Sequence, residues 1–325
     1  MSQRAARAGR HSPSPVPAGT ATGVALVLAT VCIWGLQFPI AKSAFIHVDP
    51  FNLAMIRYGF PVSLLIAFLV YSEGIGALRF DSRAKHATIV GLIGMCGSPT
   101  LVFGGLSMTR PEIAAIIIAI QPLLTAIVLW VLRGMRPDGS TLLCVGVAFV
   151  GVFTVITGWS MEFASEPKEV MGDILIFLGA LCWVYYTISG ERFRDWSVLR
   201  YTSLTMLPGA LGHVGVVLSL TLCGYLAVPG FDQWLAAGPQ VLFLSLLGVL
   251  AAMLMWNGGT KRIGPLNAML FINLIPVITF AVRYWQGARF TWLEIGGAGL
   301  VVLALIANNL VQRARNRRLR HEQRA

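Results

Sequence analysis

The sequence predicts an all-α integral membrane protein with ten transmembrane helices, arranged as two inverted five-helix repeats. Three observations carry this. The 325 residues are 56% hydrophobic and only 12% charged, with a mean hydropathy of +0.73, whereas a soluble domain is about 25% charged. Apolar runs of about 20 residues, the length that spans a bilayer, recur almost from end to end, and they lack the short alternating pattern of barrel strands. Two of those runs are interrupted by proline and a polar amide near their middles.

Residues 1–20 (MSQRAARAGRHSPSPVPAGT) are basic, small and Pro-rich, and read as a disordered cytoplasmic N-terminus. The apolar run that follows is longer than a signal-peptide core and reads as an uncleaved first helix. The first repeat covers 21–158. Its span 1 (22–44) carries Trp34 and, one turn on, Gln37; span 2 (54–72) carries Arg57 four residues before Pro61. Span 3 (87–108) contains Gly91, Gly94 and Gly97, small residues that suit close helix packing. Span 4 (113–132) holds Gln121 and Pro122, and span 5 (140–158) is continuous. The second repeat covers 172–311. Span 6 (172–190) carries Trp183 and Tyr186, and span 7 (203–226) carries His213, which reads as a packed, hydrogen-bonded residue rather than a proton relay. Span 8 (239–257) ends on Trp256 and Asn257, an interfacial anchor by position. Span 9 (266–286) holds Asn273, Pro276 and Arg283, and span 10 (292–311) leads into a basic cytoplasmic tail, 312–325.

Charge sets the orientation. With the N-terminus in the cytoplasm, most of the 25 Lys and Arg residues fall on inner segments, including Arg79, Arg83 and Lys85, Arg192, Arg194 and Arg200, and Lys261 and Arg262. Only Lys42, Arg110, Lys168 and Arg289 fall outside, so both termini are expected to be cytoplasmic, in the plasma (bacterial inner) membrane. The net charge of +11 is then topology and contact with anionic lipid headgroups, and no nucleic-acid partner is needed. The five cysteines lie within spans at no metal-ligand spacing, so no metal or cofactor is expected.

The halves echo each other. RPEIAAIIIAIQPLLTAIVLW (110–130) and GPLNAMLFINLIPVITFAVRYW (264–285) each open with proline and carry a second proline eleven residues later, Pro122 and Pro276. Gln121 precedes one and Asn273 the other, and Thr125 matches Thr279. ALVLATVCIWGLQF (25–38) and LIFLGALCWVYYT (175–187) both place Cys and Trp at mid-span. Five helices is an odd number, so two such halves insert in opposite orientations. Interrupted helices at corresponding depths point to a substrate site, because backbone freed in a bilayer must face protein or a watery cavity. The candidate substrate-binding residues are Trp34, Gln37, Arg57, Gln121, Trp183, Tyr186 and Asn273, with Pro122 and Pro276 as gating breaks. Arg57 and Arg283 are the intramembrane cations; each either snorkels to headgroups or faces a cavity. An inward Arg57 would favour a carboxylate, whose two oxygens its fork can pair, over a cationic drug.

WGLQFPIAK (34–42), MIRYGFP (55–61), IQPLLTAI (120–127) and RIGPLNAMLFINLIPVITF (262–280), in this order and spacing, resemble the ten-helix EamA-type members of the drug/metabolite transporter superfamily. The resemblance runs from about 20 to 310. It implies a central cavity opening alternately to each side, small polar or amphipathic cargo such as amino acids, and export in many relatives. One departure is visible: the Gly-Glu pair common after the fourth and ninth helices is replaced in LRGMRP (132–137) and QGARF (286–290). The expected function is a secondary transporter of a small-molecule metabolite. A non-transporting scaffold would not need matched breaks, and an integral-membrane enzyme would need clustered His, Asp or Glu. Oligomeric state stays open.

Overall fold

A computed structural model describes residues 18–322 apart from 135, 158 and 160–166. Most of the basic N-terminal segment therefore lies outside the described residues, as do the final three residues of the tail. The chain is helical, with no strand among the described residues. The helices are α1 (Ala18–Ala44), α2 (Pro50–Glu73), α3 (84–108), α4a (Pro111–Ala119), α4b (Gln121–Arg133), α5 (Gly139–Thr157), α6 (Pro167–Ser189), α7 (Val198–Leu222), α8 (Gly238–Ile263), α9 (265–285) and α10 (Trp292–Glu322).

Local chemistry explains the ends. Asp49 caps α2, its carboxylate accepting from the Phe51 and Asn52 amides at 3.0 Å each, with Pro50 in the first turn where a missing amide hydrogen costs nothing. Ser197 caps α7 through the Arg200 amide at 2.9 Å. Pro111 opens α4a and Pro265 opens α9. Gly134, at φ 67°, closes α4b in the left-handed conformation that glycine adopts without strain.

The span count differs from the expected ten. Eight helices among the described residues are long and apolar enough to cross a membrane, or nine if the bent pair α4a–α4b is one span. That pair bends by 42°, because Pro122 cannot donate to the carbonyl four residues back and its ring crowds it. The apolar part of α10, Trp292–Asn308, is shorter than the others. The helix itself does not stop at the expected 311 but continues to Glu322, since the residues after 311 contain no proline or glycine to end it.

Outward stripes such as Phe60, Leu64 and Phe68 on α2 and Leu211, Val214 and Leu218 on α7 are exposed apolar surface, as expected where lipid is the solvent. The polar side chains Arg57, Gln121, Thr202 and His213 are buried instead. α1 packs along α8, α3 along α6, α2 along α7 and α5 along α10. Glycines allow three of these crossings: a Cβ at Gly259 would lie 2.9 Å from the Gly23 carbonyl oxygen, one at Gly172 would lie 2.8 Å from that of Gly105, and one at Gly151 would lie 2.7 Å from that of Gly297. Gly259→Leu is accordingly expected to destabilise the protein by about 1–3 kcal/mol through overpacking, read as a lower unfolding midpoint in detergent. An unchanged midpoint would show that α1 and α8 are not in such close contact.

Two helices widen into π segments, Leu92–Gly97 in α3 and Phe243–Ala251 in α8. Such a shift loosens the backbone ladder and presents carbonyls to side chains on neighbouring helices. His213 Nε2 bonds the Met95 carbonyl at 3.0 Å, and Trp34 Nε1 donates to the Gly248 carbonyl at 3.1 Å.

Candidate functional site

The interrupted helices meet α1, α2, α3, α6 and α8 around one central cavity. Its walls include Trp34, Gln37, Arg57, Tyr58, Phe103, Ile118, Gln121, Trp183, Gly248, Ile272 and Ile275. Five of the seven residues expected to bind substrate thus converge on it from four helices. Both backbone breaks reach it too: Ile118 and Gln121 come from the bend at Pro122, and Ile272 and Ile275 precede Pro276. Pro276 crowds the turn before it in the same way, and Leu270–Asn273 tightens to a 3-10 turn.

Arg57 is the dominant charge. It is 3% exposed, so it does not snorkel. One guanidinium nitrogen, Nη2, donates to Gln37 Oε1 at 3.3 Å, and the guanidinium carbon lies 4.2 Å from the Phe103 ring centre. Its Nε and Nη1 have no hydrogen-bond partner among the described residues. A buried cation with two unused donors beside a cavity has the donor geometry to pair a carboxylate, since leaving such donors unpaired is costly. Gln121 adds an amide from the bend. Its Nε2 reaches the Ala180 carbonyl at 3.5 Å, while its Oε1 is buried without a partner.

An aromatic floor lies beside these polar groups. Trp34 and Trp183 meet edge to face at 5.2 Å. Trp256 lies 5.1 Å from Trp34 and 6.0 Å from Trp183. Trp256 is fully buried, which corrects its reading as an interfacial anchor: the crossing of α1, α6 and α8 brings the three indoles together. Asn257 is also internal, donating to Tyr186 Oη at 3.0 Å and to Thr202 Oγ1 at 2.8 Å. Neither role was legible in the sequence, because which helices neighbour α8 is not a local property.

Two expected site residues lie elsewhere. Tyr186 lies 5.2 Å from Trp183 with its ring tilted by 30°, but it is completely buried behind the cavity wall, where Asn257 holds its hydroxyl. Asn273 lines a different groove, between α1, α9 and α10, with Thr20, Arg262 and Ile306. The reason is helical register. Asn273 stands three residues before Pro276, whereas Gln121 immediately precedes Pro122; the residue matching Gln121 is Ile275. Two positions on a helix differ by about 200° around the axis, so Asn273 points away from the face that Ile275 presents.

The remaining ionisable candidates are paired. Arg283 does not line the cavity: its Nε donates to Glu112 at 3.2 Å across α9 and α4a, and its partly exposed guanidinium also donates to Gln286 at 3.0 Å. Arg110 bridges to Glu294 at 2.6 Å. His213 is packed, with Thr100 Oγ1 at 3.2 Å and the Met95 carbonyl behind it. At the end of the bundle carrying Arg83, Lys261 and Arg262, here called the basic end, Arg83 holds the exposed Asp195 carboxyl down at about 2 through a hydrogen bond of 2.7 Å.

Comparisons with known proteins show the family of the chain. The EamA-like transporter family matches the chain over residues 21–157 and 170–310. The uncharacterized transporter YrdR of Bacillus subtilis (strain 168) is 33% identical, with 90% of this chain and 92% of that protein covered. YyaM of the same strain, also described as an uncharacterized transporter, is 32% identical over 84% of this chain and 88% of its own. The uncharacterized inner membrane transporter YedA of Escherichia coli (strain K12) is 23% identical, over 86% and 88%. A solved crystal structure superposes with a TM-score of 0.63 at 20% identity, covering 90% of this chain and 98% of that one, which is a likeness of fold.

Proposed function

This chain belongs to the EamA-like transporter family and is a multi-pass membrane transporter, and from that premise we propose that it is a secondary carrier for a small carboxylate-bearing metabolite. The cargo is an amino acid or organic acid, bound in the central cavity and moved by alternating access, with export across the inner membrane as the direction. The observation that carries this reading is Arg57, buried at the cavity with Nε and Nη1 unpaired. Arg57, Gln37 and Gln121 hold the polar end of the cargo, and Trp34 and Trp183 hold its apolar part.

The two-repeat architecture has its own support. The family matches twice, once in each half. The α1–α8 contact mirrors the α3–α6 contact, with Gly23 and Gly259 in one and Gly172 and Gly105 in the other. The π segments fall in α3 and α8, the members those pairs exchange. Five-helix halves related in this way are inverted and place a binding site between them. Both termini then lie in the cytoplasm, as the Lys and Arg distribution requires. The location follows the charge pattern and the inner-membrane description of the Escherichia coli relative.

Thermal unfolding of the purified protein against amino acids, organic acids, nucleosides and cationic drugs tests this. A ligand that binds only the folded state stabilises it by about 2.7 kcal/mol at a hundred times its dissociation constant. Carboxylates are expected to raise the midpoint. Gln121→Ala reduces that response, whereas Asn273→Ala, acting at a residue outside the cavity, leaves it within error. A response confined to cationic drugs would overturn the cargo class. Equal losses in both variants would place the site beyond this cavity.

A further inference from the structure

A second pocket lies at the basic end, formed by the end of α6, the 190–197 turn, the start of α7, the end of α8 and the start of α9. It is lined with donors that have no acceptor among the described residues. Thr187 Oγ1, Trp196 Nε1 and Thr260 Oγ1 are buried and unpartnered among the described residues. Thr187 is 4% exposed and Trp196 1%. Lys261, itself exposed, also lines the pocket, and its ammonium donates to the Trp196 carbonyl at 2.7 Å. The other two charged walls, Arg194 and Glu191, pair with each other at 3.3 Å.

This pocket is one helical turn from the central cavity. On α6, Trp183 lines the cavity and Thr187 the pocket; on α8, Met253 lines the cavity and Asn257 the pocket. Four residues correspond to about 6 Å along a helix axis. The wall between the two is the layer in which Asn257 holds the Tyr186 hydroxyl and Tyr201 stacks on Tyr186 at 5.5 Å.

We propose that the basic-end pocket is a second binding station for a carboxylate-bearing cargo, occupied independently of the central cavity and divided from it by the Tyr186–Asn257 layer. Two hydroxyls and an indole N–H supply neutral donors to the carboxylate oxygens, and Lys261 supplies the charge. The same carboxylate chemistry is thereby offered on both sides of the layer, so cargo released from one station meets equivalent donors at the next. The proposal rests on the carrier reading above, and the variants distinguish the two.

The test is isothermal titration of the full-length protein in detergent with sodium benzoate. Two classes of site are expected. Arg57→Gln removes one class. Thr187→Val combined with Thr260→Val, which keeps side-chain shape while removing two donors, weakens the other by about tenfold or more. Trp196→Phe weakens that same class, so the result does not hang on one variant, and unchanged unfolding midpoints establish that the variants fold. If Arg57→Gln abolishes all binding, or if both classes survive the threonine and tryptophan changes, the second station is overturned while the central site stands. If Arg57→Gln has no effect and the threonine pair abolishes binding, the second station holds and the central reading fails. No benzoate binding to the unaltered protein overturns both.

Discussion

Arg57→Gln removes the central cavity's share of the stabilisation by carboxylates while leaving the unliganded protein at least as stable as before. The two halves of this result have one cause. In the unliganded protein the guanidinium is buried, with one hydrogen bond to Gln37 and contacts to the rings of Phe103 and Tyr58. No carboxylate among the described residues pairs with it. A desolvated charge with unpaired donors is a burden on the fold. A neutral amide of shorter reach lifts that burden. Binding responds in the opposite sense. Charge-assisted hydrogen bonds are worth about 1.5–3 kcal/mol, so losing the fork weakens carboxylate affinity by roughly ten- to a hundredfold. Arg57→Lys should fall between, since the ammonium keeps the charge but not the paired geometry. Thermal unfolding with and without ligand measures both effects together. A large loss of stability without ligand would mean that Arg57 serves the fold, and an intact carboxylate response would remove it from the site.

The largest purely structural effect is expected at Trp256. Its side chain is fully buried among Trp34 and Trp183 where α1, α6 and α8 cross. Truncating a buried tryptophan to alanine costs about 3–5 kcal/mol, because the surrounding groups cannot close the cavity. Trp256→Phe should recover most of this. The indole Nε1 has no partner among the described residues, so phenylalanine sacrifices no hydrogen bond and removes an unsatisfied donor. Unfolding midpoints in detergent should rank unaltered protein and Trp256→Phe close together, with Trp256→Ala far below. If the alanine variant matched the unaltered protein, the three indoles would not form a packed floor. If the phenylalanine variant were as unstable as alanine, Nε1 would have a partner that matters.

Much of the site was legible because its cause is local. Pro122 and Pro276 distort a helix wherever it is packed, and both distortions reach the central cavity. Trp34 and Gln37 stand one turn apart on α1 and do share the cavity face. Arg57 in an apolar run stood out as a candidate site cation, although the run alone left open whether it snorkelled or turned inward, and the structure buries it at the cavity. Asn273 shows the limit from the other side. Its nearness to Pro276 along the chain suggested a partner for Gln121, but two residues of register carry it to another face.

By itself, then, the sequence determined that the chain is an apolar helical membrane protein, where two of its helices are interrupted by proline, and which side chains are costly in lipid. Hydropathy, proline geometry and capping act within a few residues, so they can be read along the chain. Tertiary structure decided which helices are neighbours. It buried Trp256 in an indole cluster, placed Tyr186 behind the cavity wall rather than on it, paired Arg283 with Glu112, and left Arg57 without a carboxylate partner among the described residues. Those outcomes depend on the azimuth and crossing of helices distant in sequence, and a periodic apolar run carries little information about either, because in lipid every face of a helix can be apolar.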